Sequence, residues 1–184
     1  ALAGLHALAG RATLDLEFSA AEGGHGQAVA AKVSAEQIAV AADGETPPVT
    51  VERVDATADI GDALALRDID ASVAIKNVVG EGFHLSEIDT VLHGTGEAVE
   101  GDVTIAGIDP TPLSLTSRIS ARVQQDGQGE LQLTELRFGY AGLDPLASGK
   151  VGASFGPGSA LSGSLDMAIL SGALTAEYVR DGGA

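Results

Sequence analysis

Four histidines are the side chains in this 184-residue chain that are best suited to hold a metal ion: His6, His25, His84 and His93. A zinc site brings several such side chains together, often from one helical turn at positions i and i+4. No pair of these histidines has that spacing, and in a strand His84 and His93 would point to opposite faces because their positions differ in parity. The spacing favours surface and turn histidines, so no metal and no other cofactor is expected.

Carboxylates are the second candidates for chemistry. A phrase of apolar residue, two polar residues, apolar residue and Asp occurs three times, and a fourth copy has Arg in place of Asp, at residues 51–55, 66–70, 85–89 and 133–137. Two carboxylates that converge from distant strands could act as a glycosidase pair. In a strand, however, Asp55, Asp70 and Asp89 would point away from the apolar face, and the chain has no Trp to stack against a sugar. The pattern favours a solvated outer face whose charges discourage edge pairing.

Glycine-rich segments supply no further catalytic motif. Residues 80–83, 94–97 and 23–26 superficially resemble calcium β-roll repeats, but the required Gly-Gly-x-Gly-x-Asp phrase is missing and the copies are not nine residues apart. Gly149 and Lys150 lack the frame of a phosphate-binding loop, and there is no Gly-x-Ser-x-Gly elbow. The chain is therefore expected not to be an enzyme, and a β-sheet hydrolase is the least favoured of three functions.

Composition narrows the remaining functions. The formal net charge is −16, with only ten Lys and Arg residues, which argues against nucleic acid and against an anionic membrane surface. No cysteine is present, which excludes disulfides, thiolate metal sites and a Cys nucleophile. No window approaches about 18 apolar residues without charges, so no transmembrane helix is predicted. Apolar residues still make up 45% of the chain, almost all of them aliphatic.

Alternating apolar and polar residues predict an all-β chain of long antiparallel strands. Between Gly- and Pro-bearing turns the pattern gives eleven or twelve strands, at 11–18, 27–41 (one or two strands), 49–59, 64–76, 82–93, 97–106, 113–124, 129–140, 147–155, 160–170 and 173–180. Leu2, Leu5 and Leu8 are spaced as in a short helix over residues 1–10. Breaks are expected near 43–48 and 109–112 within one β-repeat segment over residues 1–184.

The apolar face of such a sheet has to be covered, either by other parts of the protein or by an apolar ligand. A dozen long strands with one apolar side can close, form a sandwich, or curl so that the apolar side lines a groove. A smooth aliphatic face with few aromatic side chains suits a flexible apolar guest as well as it suits a self-packed core. The residues themselves leave these two alternatives open.

Four segments resemble the AsmA-like family of bacterial envelope proteins, which includes the TamB and YdbH types. They are residues 66–75 and 85–94, each with an apolar strand and an Ile-Asp phrase, residues 5–14, where a Leu- and Ala-rich stretch runs into Gly-x-Ala-x-Leu, and residues 146–155. The resemblance implies strands that curl into a groove (a β-taco) and a non-catalytic role. That role is phospholipid transfer between inner and outer membranes in outer-membrane biogenesis.

The same resemblance implies a periplasmic protein, anchored to the inner membrane through a region absent from this chain, with phospholipid as ligand and an outer-membrane or periplasmic protein as a further partner. On this hypothesis the groove would be lined by residues of the apolar parity: Leu14, Leu16, Phe18, Ile69, Val73, Ile75, Leu115, Ile119, Val123, Leu165, Met167 and Ile169. The alternative is a structural or adhesive extracellular β-repeat (solenoid or sandwich) domain without a ligand.

Overall fold

The computed structural model describes residues 7–20, 26–41, 49–123, 128–156, 161–170 and 172–180. The regular secondary structure in these ranges is entirely β-strand. In chain order the strands are β1 (Ala7–Ala20), β2 (Gln27–Ala41), β3 (Val49–Asp62), β4 (Arg67–Gly80), β5 (Phe83–Gly94), β6 (Ala98–Asp109), β7 (Leu113–Val123), β8 (Gly129–Tyr140), β9 (Leu143–Phe155), β10 (Leu161–Ile169) and β11 (Gly172–Arg180). The predicted all-β class with long antiparallel strands is confirmed.

All eleven strands form one sheet, in which the order of strands is the order of the chain. Each strand pairs antiparallel with its neighbours, as short connections require. Between β8 and β9, for example, Tyr140 pairs with Leu143 across a two-residue turn. Both turn residues have positive φ, 53° at Ala141 and 83° at Gly142, which is the type I′ geometry that matches the twist of the flanking strands.

The sheet is open and has a single layer in the part of the chain that the structure describes. Extensive contacts between strands follow the order of the sheet, and β1 and β11 form its two edges. The chain exposes 11935 Å² to solvent, compared with about 8200 Å² for a compact monomer of this mass. This open, single-layered architecture is consistent with the predicted groove.

The structure differs from the predicted elements at several strand ends; β9, for example, begins at Leu143 rather than at residue 147. Ala7–Gly10 are strand rather than helix, because Ala7 and Ala9 pair with Ala41 and Ala39 of β2. Residues 1–6 of the predicted helix lie outside the described part of the chain, as does the break at 43–48. Residues 64–66 of the predicted strand 64–76 form a turn, in which Asp62 Oδ1 accepts hydrogen bonds from the backbone N–H groups of Leu64 and Ala65.

The recurring sequence phrase marks an irregularity that crosses the sheet. In β2 to β5 the paired polar residues Glu36, Arg53, Lys76 and Glu87 form a row across the sheet. The next residue of each strand toward the following apolar row is also polar and is skipped by the pairing register: Gln37, Glu52, Asn77 and Ser86. Gln37 and Asn77 have left-handed backbone conformations in this line, and Glu135 has one in β8. Such bulge-like residues shift the alternation of side chains between the two faces of the sheet by one position. We call this shift a pleat reset. Apolar residues three positions apart, such as Leu133 and Leu136, can therefore share one face.

Candidate functional site

The most prominent candidate surface is an apolar face that extends across the whole sheet. Residues paired directly opposite each other in antiparallel strands project from the same face. Following these pairs gives three uninterrupted rows across all eleven strands. The first is Phe18, Val29, Ile60, Ile69, Gly94, Val99, Ala121, Leu131, Ala153, Gly163 and Tyr178. The second is Leu16, Ala31, Ala58, Ala71, Leu92, Gly101, Ile119, Leu133, Val151, Leu165 and Ala176. The third is Ala12, Ala35, Val54, Ile75, Ile88, Ile105, Leu115, Phe138, Ala147, Ile169 and Gly172.

A fourth row lies between the second and the third and is interrupted only by the pleat reset in β8. It contains Leu14, Val33, Ala56, Val73, Thr90, Val103, Ser117, Leu136, Gly149, Met167 and Leu174. None of the four rows contains an Asp, Glu, Lys, Arg or His residue. Eleven strands at about 4.8 Å spacing make this face about 48 Å wide. We call these four rows the apolar face.

Eleven of the twelve residues predicted to line a groove lie on the apolar face. They come from strands at both edges and in the middle of the sheet: Leu14, Leu16, Phe18, Ile69, Val73, Ile75, Leu115, Ile119, Leu165, Met167 and Ile169. Val123, the last residue of β7, pairs with Gly129, and its side chain lies outside the described part of the structure. The sheet thus brings residues more than 150 positions apart in sequence onto one surface.

Burial on the apolar face varies along the sheet without reaching that of a closed core. Leu14, Leu16 and Phe18 on the edge strand β1 are 52–60% exposed. Most apolar-face side chains of β3 to β9 are partly buried, while Leu136 and Ala147 are only 6% exposed. Since the described part of the sheet has no covering layer, neighbouring side chains of the same sheet shield these two residues. Among the described large side chains none is fully buried.

Glycines on the apolar face provide room for large side chains of adjacent strands. A Cβ added to Gly101 would lie 2.9 Å from a methyl carbon of Leu92. One added to Gly107, which lies just outside the four rows, would lie 2.7 Å from Leu113 Cγ. Large side chains that cover glycines of a neighbouring strand protect the exposed backbone. Sequence reasoning singled out the large residues and missed these small ones. The sequence did contain a signal that Leu133 and Leu136 share one face, because the recurring phrase places two apolar residues at positions i and i+3.

The opposite face of the sheet carries the charges and is held by ion pairs between neighbouring strands. Lys76 pairs with Glu87, Arg118 Nη1 lies 3.3 Å from Glu135 Oε1, and Lys150 Nζ lies 3.8 Å from Asp166 Oδ2. These side chains are largely exposed, so each pair contributes little to stability, typically about 0–1 kcal/mol. We call this surface the polar face.

Asp55 on the polar face is the best-connected carboxylate among the described residues. It accepts hydrogen bonds from Arg53 Nη2 at 3.1 Å and from Ser34 Oγ at 2.5 Å, and Arg53 also lies near Glu36. These hydrogen bonds, that from Arg53 first, lower the pKa of Asp55 to about 2. The same contact raises the pKa of Arg53. The arrangement stabilises the ionised carboxylate, which suits a structural tie between β2 and β3 rather than proton transfer.

A pH titration tests this network. Because the folded-state pKa of Asp55 lies below the unfolded value of about 3.9, its contribution to stability is complete above about pH 4 and is lost as the pH falls toward 2. We expect the Asp55 carboxyl resonance to titrate near pH 2 in NMR spectra. The substitution Arg53→Gln should move the midpoint up toward the ordinary range, whereas Lys32→Gln should move it little. An unchanged midpoint in Arg53→Gln would contradict the assigned cause.

The other residues considered for chemistry do not converge. Asp55 and Asp89 lie in one row of the polar face but are separated by Ala74 of β4. Asp70 lies in a different row and pairs with His93, while His84 Nε2 lies 3.2 Å from Asn77 Oδ1. His6 and His25 fall outside the described residues. Across the ranges described, no three His, Asp or Glu side chains group in a way that could hold a metal ion.

A shallow cavity of about 400 Å³ lies on the polar face between β8 and β11. Two hydrogen bonds lie within its lining: Ser162 Oγ donates to Ser154 Oγ at 3.3 Å, and Gln132 Nε2 donates to Glu130 Oε1 at 2.5 Å. No helix in the described ranges has the length and apolarity needed to cross a membrane.

Comparisons with models of protein families, with curated proteins and with solved structures find no match to this chain. The apolar face is thus the feature from which a function has to be inferred. It is wide, continuous across strands and free of charged side chains.

Proposed function

We propose that this chain binds lipid acyl chains on its apolar face and shields them from water during phospholipid transfer between membranes. In this proposal the protein is a groove-forming segment of an AsmA-like envelope protein and acts without catalysis. Its setting would be the periplasm, between the inner and the outer membrane. The observation that carries the proposal is the apolar face, whose four charge-free rows cross eleven strands without a covering layer in the described structure.

The energetics of such a face favour an alkyl guest. A methylene group exposed to water costs about 0.8 kcal/mol relative to an apolar surrounding, so a long acyl chain cannot leave a bilayer unless it is covered. Aliphatic rows such as that of Ile75, Ile88, Ile105 and Leu115 offer this cover over the width of the sheet. In turn, the guest would remove from water the apolar side chains that the open sheet leaves exposed.

The lack of polar groups on the apolar face also suits movement of the guest. Thr90, Ser117 and Tyr178 are the only residues of the four rows with polar side chains, and Ser117 Oγ donates to the backbone oxygen of Thr134 at 3.0 Å. A face without fixed hydrogen-bond partners holds an alkyl chain at no preferred position, because the hydrophobic effect is non-directional. Transfer along the sheet would then be passive.

Purification of the chain from a bacterial envelope, followed by native mass spectrometry and lipid extraction, tests the proposal. We expect phospholipid to copurify with the protein. A chain that is free of lipid, fully stable and monomeric would favour the alternative, a structural or adhesive β-repeat domain. Addition of phospholipid vesicles to such lipid-free protein, followed by separation and extraction, should restore the bound lipid if the apolar face is a binding surface.

A further inference from the structure

The four rows of the apolar face contain no charged residue, and the distribution of charges elsewhere bears on which lipid headgroup the protein accepts. Resting on the proposed function, we infer that the apolar face favours phospholipids with a zwitterionic headgroup over phospholipids with a net negative headgroup. The inference concerns the headgroup alone, since the acyl chains of both classes would contact the same rows.

The first step is the position of the cations. Eight of the ten Lys and Arg residues lie in rows of the polar face: Arg11, Lys32, Arg53, Lys76, Arg118, Arg122, Arg137 and Lys150. The other two, Arg67 and Arg180, are at strand ends. Proteins bind phosphate groups mainly through Arg, Lys and free backbone N–H groups. The apolar face offers no cation to a phosphate, and its backbone N–H groups are used in the sheet except along the outer sides of the edge strands β1 and β11.

The second step is the engagement of these cations with acids. Arg53, Lys76, Arg118, Arg137 and Lys150 each form an ion pair with an Asp or Glu side chain. Their charges are therefore compensated on the polar face. With 26 acidic and ten basic residues, the chain as a whole carries a formal charge of −16. The electrostatic potential around the molecule is consequently negative, and it repels a lipid headgroup that carries a net negative charge.

The third step is the place where a headgroup would lie. A lipid whose acyl chains lie on the apolar face has its headgroup at a border of that face, and two of these borders are formed by the turns at the strand ends. In the described turns and the strand residues next to them, the acidic side chains are Asp62, Asp68, Glu81, Glu97 and Asp144, of which Asp144 is paired with Arg137. The single cation within these positions is Arg67. A zwitterionic headgroup brings an ammonium group that these acids attract, whereas a net negative headgroup brings only repulsion.

Competition between two lipids tests the inference. The protein is loaded from vesicles that contain equal amounts of phosphatidylcholine and phosphatidylglycerol with identical acyl chains, and the bound lipids are extracted and quantified by mass spectrometry. We expect about threefold enrichment of phosphatidylcholine at about 0.01 M salt and an almost equal ratio at about 1 M salt, since screening shortens the range of the repulsion. Uptake of both lipids in equal amounts at low salt, or enrichment of phosphatidylglycerol, would overturn the inference and leave lipid binding intact. Failure to bind either lipid would instead count against the proposed function.

A pair of double variants locates the effect. Glu81→Lys with Glu97→Lys changes the turn borders, while Asp59→Lys with Glu100→Lys makes the same change on the polar face. Each pair moves the formal net charge from −16 to −12, because each substitution exchanges a negative for a positive charge. The turn variant should lose most of the discrimination and the polar-face variant should retain it. Equal loss in both variants would contradict a role of the turn borders.

Discussion

Replacing Leu92 and Ile119 together by glutamate should reduce bound phospholipid at least tenfold while leaving the sheet folded. Both residues lie in the second row of the apolar face, on either side of Gly101. Two carboxylates in this position would have to lose water where an alkyl chain lies, which costs several kcal/mol per ion. A tenfold loss requires only about 1.4 kcal/mol. Lipid extraction after loading from vesicles measures the effect.

The fold is expected to tolerate this double substitution, because the apolar face is open and both side chains are only partly buried. Circular dichroism should show an unchanged strand signal. The matched control is Thr57→Glu with Thr116→Glu, which adds the same charges to the polar face next to Lys32 and Arg137. Unfolding of the Leu92 and Ile119 variant would indicate a closed core, and unchanged lipid binding would contradict the proposed function.

Gly101→Ala should destabilise the sheet by about 3 kcal/mol or more, a large effect for a single methyl group. A Cβ at Gly101 would overlap the backbone oxygen of Val91 in β5 and press on the side chain of Leu92. The carbonyl belongs to a neighbouring strand and cannot move without disturbing the pairing of β5 with β6. A loss of this size should lower the thermal midpoint by about 6–12 °C.

Two other glycines of the same face provide the comparison. Gly149 meets a similar obstacle, the backbone oxygen of Asp166, so Gly149→Ala should be comparably unstable. At Gly163 an added Cβ would meet the backbone oxygen of Gly152 only at 3.5 Å, which is ordinary contact. Gly163→Ala is thus expected to be neutral, or to stabilise by restricting the unfolded chain. Equal effects at all three positions would show that the close approach of the strands is not the cause.

Strand number, strand limits and the apolar face could largely be predicted from the sequence, because residues 113–124 and similar segments alternate without interruption. The pairing register between neighbouring strands places apolar residues opposite apolar residues, so the alternation continues across the sheet. The predicted β4 began three residues too early, since the Asp62 side chain caps a turn that the alternation does not reveal. The strand at Ala7–Gly10 was hidden for a related reason. Alternation cannot be seen in a run of small apolar residues.

The line of pleat resets was present in the sequence but could not be interpreted there. The Asp residues of the recurring phrase were expected in regular strands, whereas the structure places several copies of the phrase where the backbone departs from regular strand geometry, as at Glu135. Whether apolar rows remain open could not be derived from periodicity either, because a sandwich and a single curled sheet have the same alternation. They are distinguished by the pairing of all eleven strands in chain order together with extensive contacts only between neighbouring strands in the described ranges.

Contact between acyl chains and the apolar face can be measured directly, because the chain contains no cysteine and accepts single cysteines without background labelling. Val73→Cys and Leu165→Cys place a fluorophore on the apolar face, and Ser72→Cys and Ser164→Cys place it one residue away on the polar face. Phospholipids with a nitroxide in the acyl chain are then added. We expect quenching at positions 73 and 165 and almost none at 72 and 164. Equal quenching on both faces, or none at any position while lipid is bound, would contradict acyl-chain binding on the apolar face.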